Sequence, residues 1–143
     1  MMSHIKTGIF IIMAAGLFAC SKSSDPYAAY KNGDFDTARK GFISLAERGD
    51  LNALTHLGVI YQIGLDTEKN YAMAAKYYEE AASKGNAPAQ YNLGLMHYEG
   101  IGMAKDHKKA FKWLSLAAEQ EHSKAKKLLG HLVGNRKGSQ ITD

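Results

Sequence analysis

The residues with the most chemical promise lie late in the chain, in Ser123-Lys124-Ala125-Lys126. A serine three residues before a lysine has the nucleophile–base spacing of penicillin-recognising serine enzymes. No Ser-Asp-Asn element accompanies it, and Ser123 stands where a helix starting at Lys124 needs a cap. We therefore read no catalytic residue there. The six histidines, among them His56, His97, His107, His122 and His131, form no i, i+4 pair and no His-Glu-x-x-His run. Cys20 is the only cysteine, which rules out an intrachain disulfide and a cysteine-rich metal centre. Gly100-Ile101-Gly102 is an isolated Gly-x-Gly that turn geometry explains. No cofactor, nucleotide, phosphate or metal site is expected.

The elements that would position any site repeat along the chain. Leu57-Gly58, Leu93-Gly94 and Leu129-Gly130 recur at a step of 36 residues. The same step runs through Ala53, Ala89 and Ala125, through Ala38, Ala74 and Ala110, and through Ala46, Ala82 and Ala118. A fixed period of this size marks a solenoid, whose units bury their apolar faces only against their neighbours. Function is then sought on a surface rather than in a buried pocket.

Within a unit the spacing is helical. Ala53, Leu57 and Tyr61 fall on one stripe and predict a helix A over Asn52–Ile63. Ala74, Tyr78, Ala81 and Ala82 share a face of a helix B over Tyr71–Lys84. Gly58 beside Leu57 is expected to let the partner helix approach closely, since an interior glycine otherwise costs about 1 kcal/mol against alanine. Asp50, Asn70, Asn86 and Asp106 are predicted N-caps, with Gly49 and Gly85 closing helices. Pro88 falls in a first helical turn, where proline is tolerated. The predicted architecture is all-α, a right-handed superhelical solenoid of antiparallel helix pairs. The repeat domain spans 27–134, with a partial first unit 27–51, full units 52–87 and 88–123, and a final helix 124–133 capped by Ser123. The first unit pairs a short A helix ending at Lys31 with a B helix over Phe35–Arg48, and the polar tail 135–143 is expected to fray.

Leu93-Gly94, His97, Gly100-Ile101-Gly102-Met103, Asp106, Ala110, Trp113 and Ala117-Ala118 together resemble the Sel-one-like repeat. This is a relative of the tetratricopeptide repeat, whose period is 34 residues, with a longer turn between helices. Asn32-Gly33-Asp34-Phe35-Asp36-Thr37-Ala38 reads more like an ordinary tetratricopeptide turn. Two departures stand out: Asp66 replaces the second loop glycine, and His97 stands where a tyrosine is usual, as at Tyr61. The resemblance implies an adaptor or scaffold. Some members of the family have been linked to β-lactam binding, which the resemblance alone does not carry over.

The N-terminal segment has its own logic. Met1 to Gly8 carries Lys6 and no acid, Ile9 to Phe18 is apolar, and Ala19-Cys20 follows. About ten apolar residues are too few to span a bilayer and describe an export signal over residues 1–19. A cysteine directly after a small residue resembles a bacterial lipoprotein signal, which implies lipidation at Cys20. The competing reading is an ordinary signal peptide cut nearby. Ser21 in place of an aspartate favours, by resemblance, the outer membrane facing the periplasm. Residues 20–26 form a short tether.

Charge is uneven. From Ile101 onward nine basic residues face four acidic ones, a balance of about +5 within a chain of net +4. Nucleic acid is not an expected partner of an exported chain. Anionic lipid, peptidoglycan or an acidic protein fits better, and a solubilising lysine face is the plain alternative.

In superhelices of this type the A helices line the concave surface. The inward positions beside each Leu-Gly pair are Thr55, Val59 and Gln62, then Tyr91, Leu95 and Tyr98, then Lys127 and His131. Tyr91, Leu95 and Tyr98 form one stripe, either packed on a neighbouring helix or open as an aromatic groove, and such rings are enriched at binding hot spots. The expectation is an envelope-localised, lipid-anchored solenoid that binds a protein or peptide partner without catalysis. The alternatives are a peptidoglycan- or β-lactam-processing enzyme and a structural envelope protein contacting anionic lipid or glycan.

Overall fold

A computed structural model describes residues 25–138, and every regular element among them is a helix. In chain order these are α1 Pro26–Lys31, α2 Phe35–Glu47, α3 Leu51–Ile63, α4 Tyr71–Ser83, α5 Ala87–Glu99, α6 His107–Glu119 and α7 Ser123–Gly138. Each helix packs mainly on the next one in the chain. The result is the solenoid of antiparallel pairs that the period implies, with α1, α3, α5 and α7 as A helices and α2, α4 and α6 as B helices.

The caps explain where the helices begin. The Asp50 carboxylate accepts from the backbone N–H groups of Asn52 and Ala53, at 2.9 and 3.0 Å. Asn86 Oδ1 accepts from Ala89 N–H at 3.0 Å, Asn70 Oδ1 from Met73 N–H at 2.9 Å, and Asp106 Oδ1 from Lys109 N–H at 2.9 Å. Each bond satisfies a donor that the first helical turn leaves without a partner. The longer turn between A and B is held the same way in both full units. Asn70 N–H donates to the Tyr61 carbonyl and Asp106 N–H to the His97 carbonyl, each at 2.8 Å.

Packing follows the small residues. A Cβ added to Gly58 would lie 2.4 Å from Tyr78 Cε1, and one added to Gly94 would lie 2.8 Å from Leu114 Cγ. Both glycines therefore admit a large B-helix side chain against the A-helix backbone. Three consecutive clusters make the core: Phe42 with Leu57 and Ile60, Tyr78 with Leu54 and Met96, and Leu114 with Ala117 and Ala125. A polar rung joins successive A helices, with Asn86 Nδ2 donating to Asn52 Oδ1 at 3.0 Å. A second rung links Gln120 Nε2 to Gln90 Oε1 at 2.9 Å.

Two expectations about the last helix are corrected. Its cap is His122, whose Nδ1 accepts from Ala125 N–H at 3.3 Å, and not Ser123, which is already the first helical residue. The helix also continues past Val133 to Gly138, so residues 135–138, read as tail, are helical. Neither proline nor β-branched crowding interrupts 134–138, and a helix already nucleated by packing extends cheaply. The signal segment, Cys20 and most of the tether lie outside the described residues. Among the described residues no helix is long and apolar enough to cross a membrane, and no cluster of His, Cys, Asp and Glu could hold a metal.

Candidate functional site: a pocket on the A-helix face

Every A helix contributes to one open cavity of about 330 Å³. Tyr30 comes from α1; Thr55, His56 and Val59 from α3; Pro88, Tyr91 and Asn92 from α5; His122, Ser123 and Lys124 from the start of α7. The period explains this gathering. Thr55 and Tyr91 are 36 residues apart, as are His56 and Asn92, so stacked units present them in successive rows.

Of the residues singled out in the sequence, Thr55, Val59 and Tyr91 meet in this cavity. Gln62, Leu95, Tyr98, Lys127 and His131 do not line it. Thr55 is buried, and its hydroxyl lies 2.9 Å from the Leu51 carbonyl and 3.0 Å from Asn86 Oδ1. It ties α3 to the cap of α5 and is a structural member of the wall. Gln62 Oε1 accepts the Tyr78 hydroxyl at 2.9 Å, satisfying a phenol buried against Gly58. Tyr98 meets His107 edge-on, with centroids 5.3 Å apart, at the A–B turn. Lys127 and His131 are exposed on α7. The proposed single stripe of Tyr91, Leu95 and Tyr98 thus divides, and only its N-terminal member reaches the pocket.

Tyr91 is half-buried and stacks on the His122 imidazole, with centroids 4.9 Å apart and planes at 28°. Burial, with Lys124 as a smaller contributor, pushes the His122 pKa below its ordinary value. The neutral ring keeps the Nδ1 lone pair that Ala125 N–H requires. On the opposite wall His56 Nδ1 lies 2.8 Å from the Asn52 carbonyl and packs on Phe42 at 4.8 Å. The cavity therefore offers two imidazoles, two phenols, an amide and one ammonium above an aliphatic floor at Val59.

Tyr30, His56, Asn92 and His122 are the lining residues that motif reading missed. A signal for His122 was present: Asp50, Asn86 and His122 follow the same 36-residue step, so the repeat assigns the cap. A Lys-Thr-Gly tripeptide does occur in the chain, at Lys6-Thr7-Gly8, and it lies outside the described residues. Ser123 does border the cavity, but its neighbour His122 spends Nδ1 on the backbone.

Helical hairpins stacked in register, with an open face built only from alternate helices, define the class of α-solenoid repeat proteins. The Sel1 repeat model matches residues 51–86 and 87–122, and the chain belongs to the Sel1 repeat family. The solved Sel1 repeat protein from Oxalobacter formigenes is 36% identical with a TM-score of 0.72, covering 75% of this chain and 44% of that one. A protective antigen of uropathogenic Escherichia coli strains, displaying an SLR fold, is 34% identical with a TM-score of 0.67, over 73% of this chain and 23% of that one. Cysteine rich protein B of Helicobacter pylori, at 22% identity and a TM-score of 0.66, shares the fold over 75% of this chain and 82% of its own. The chain thus spans less than half the length of the first two. No curated protein matches it. Sel1 repeats are typically protein-interaction scaffolds.

Proposed function

We propose that this chain is an envelope-localised, lipid-anchored adaptor that holds a peptide or protein segment against its A-helix face, without catalysis of its own. The observation that carries the reading is the cavity framed by Tyr30, His56, Tyr91 and His122, to which all four A helices contribute. Its aromatic rings supply contact area at low conformational cost, and its imidazole and amide groups supply directional hydrogen bonds. An open shape suits an extended segment better than an enclosed small molecule. Support for the anchor and the envelope comes from the apolar run ending at Ala19-Cys20. The exposed Lys124, Lys126 and Lys127 favour an acidic partner, or contact with anionic lipid or glycan at that end.

Photocrosslinking from Tyr91 and Asn92 in living cells, followed by mass spectrometry, tests the reading. One or a few discrete adducts are expected from these positions and none from Tyr98. Equal adducts from both faces, or none, would refute it. β-Lactam or peptidoglycan turnover that vanished in Ser123→Ala would replace it with the enzyme reading.

A further inference from the structure

The last A helix, α7, is uncovered on the side where the earlier A helices carry a B helix. Leu57-Gly58 and Leu93-Gly94 are buried, because α4 lays Tyr78 on Gly58 and α6 lays Leu114 on Gly94. One period later Leu129 is only half-buried and Gly130 is exposed. Among the described residues nothing lies within 4 Å of a Cβ at Gly130 or at Gly134, one helical turn on. Leu132 is half-buried where Ile60 and Met96 are buried, and Val133, one period after the half-buried His97, is 43% exposed. Ala125, which packs on α6, stays buried like Ala53 and Ala89. α7 thus keeps the contacts an A helix makes with the preceding unit and lacks those made by a following B helix.

The repeat itself defines what fits this side. Each B helix buries an alanine and, four residues later, a large side chain: Ala38 and Phe42, Ala74 and Tyr78, Ala110 and Leu114. Charge selects the owner of such a helix. The α7 sequence holds five basic residues and no acid, so the α7 helix of a second copy would set cations against cations. Residues 1–24 carry no acid, and residues 139–143 carry no alanine. We propose that the outer side of α7 receives an acidic amphipathic helix of a partner protein, packed antiparallel as α6 packs on α5. Its alanine-x-x-x-large pattern turns inward, with the large side chain over Gly130 and room for a ring beside Gly134. Gln90, one period before Lys126, is buried and accepts from Gln120 at the end of α6, at 2.9 Å. Lys126 therefore stands at the last turn of the docked helix, where a cation meets the final carbonyls and nearby carboxylates. The surface is separate from the A-helix cavity, which α7 borders only through Ser123 and Lys124.

The probe is a blocked, fluorescein-labelled peptide with the sequence of residues 70–84, in which Lys76 and Lys84, both exposed on the B-helix surface, are replaced by glutamate. It keeps Ala74, Tyr78, Ala81 and Ala82 and carries acidic side chains only. Titration with the full chain, followed by anisotropy, should show saturable binding that weakens as salt rises. The same peptide with both lysines retained should bind about 3-fold more weakly, and its Tyr78→Ala analogue at least about tenfold more weakly. In the protein, Gly130→Leu fills the space meant for the large side chain at a position where a Cβ meets nothing. That variant should bind the acidic peptide at least about tenfold more weakly while melting no lower than the parent, since leucine is the better helix former. No saturable binding, or equal binding by the Tyr78→Ala peptide or by the Gly130→Leu protein, would each overturn the proposal. So would a dimer in light scattering that Gly130→Leu dissolves, which would give this side of α7 to a second copy.

Discussion

The Tyr78 ring occupies the space where a side chain at Gly58 would begin, 2.4 Å from an ideal Cβ. Gly94 stands in the same relation to Leu114 one period later, whereas nothing lies within 4 Å of a Cβ at Gly130. The three glycines share a sequence position and differ only in what packs on them. Gly58→Ala and Gly94→Ala should therefore each destabilise by about 1–3 kcal/mol, because the displaced group is a buried side chain. Gly130→Ala should stabilise by about 0.5–1 kcal/mol through helix propensity. Denaturant midpoints of the three variants check this, and a uniform sign would contradict it.

Two non-glycine residues adopt left-handed backbone where the neighbouring repeat uses glycine. Glu121 has φ of 64°, one period after Gly85 and two after Gly49. Asp66 has φ of 48°, one period before Gly102. Such a conformation costs an L-residue about 1–2 kcal/mol, partly offset by the extra freedom glycine brings to the unfolded chain. Glu121→Gly and Asp66→Gly should each raise stability by about 0.5–1 kcal/mol in thermal or urea unfolding. Losing the Glu121–Lys126 ion pair subtracts little, since both side chains are exposed.

His122 makes stability depend on pH. Burial lowers its folded pKa below the ordinary 6.5, so the unfolded chain takes up the proton more readily than the native one. Its contribution is fully present above 6.5 and is lost as pH falls through the lower folded value. Protonation also removes the lone pair that caps α7. His122→Asn places a non-titrating cap where the preceding unit has Asn86. Unfolding measured on both sides of pH 6.5 should show a smaller acid loss in that variant. Some loss should remain, because His97 is depressed in the same direction. An unchanged pH profile would mean that the capping bond does not matter.

Tyr91 and Tyr98 are predicted to separate in binding assays. With a partner identified by crosslinking, Tyr91→Ala should weaken binding by about 2–4 kcal/mol if the ring is a hot spot. Tyr98→Ala should leave affinity unchanged, because its ring packs on His107 at the turn. Titration calorimetry distinguishes the two, and equal losses would place the partner along the whole of α5.

The proposed lipid anchor is tested at Cys20. Cys20→Ser should abolish metabolic lipid labelling and move the protein out of the membrane fraction. Parental labelling and fractionation in that variant would remove the lipoprotein reading. One acyl chain binds membranes only marginally, so stable anchoring requires the several chains of a lipoprotein cysteine.

The elements of this fold were legible because the information for them is local. Asp50, Asn70, Asn86 and Asp106 cap helices through bonds to residues two or three positions away, and the alanine combs report the stripe each helix must bury. His122 escaped because histidine is an uncommon cap and only the period points to it. The extension of α7 to Gly138 escaped because a polar stretch with glycines resembles a frayed tail until a packed helix precedes it.

The sequence by itself determined that the chain is an array of helix pairs with a 36-residue step, and which face of each helix turns inward to its neighbours. Only the tertiary structure decided which of the remaining residues stand open together. Tyr91 and Tyr98 occupy one stripe in sequence, yet one faces a shared cavity and the other a turn. Tyr61 and His97 hold one backbone position, yet Tyr61 stacks on Tyr77 whereas His97 lines a cavity beside Trp113. The reason is physical. A helical repeat is specified by contacts a few residues apart, whereas a pocket between units depends on how several side chains, separated by whole periods, fill or fail to fill the space that stacking creates.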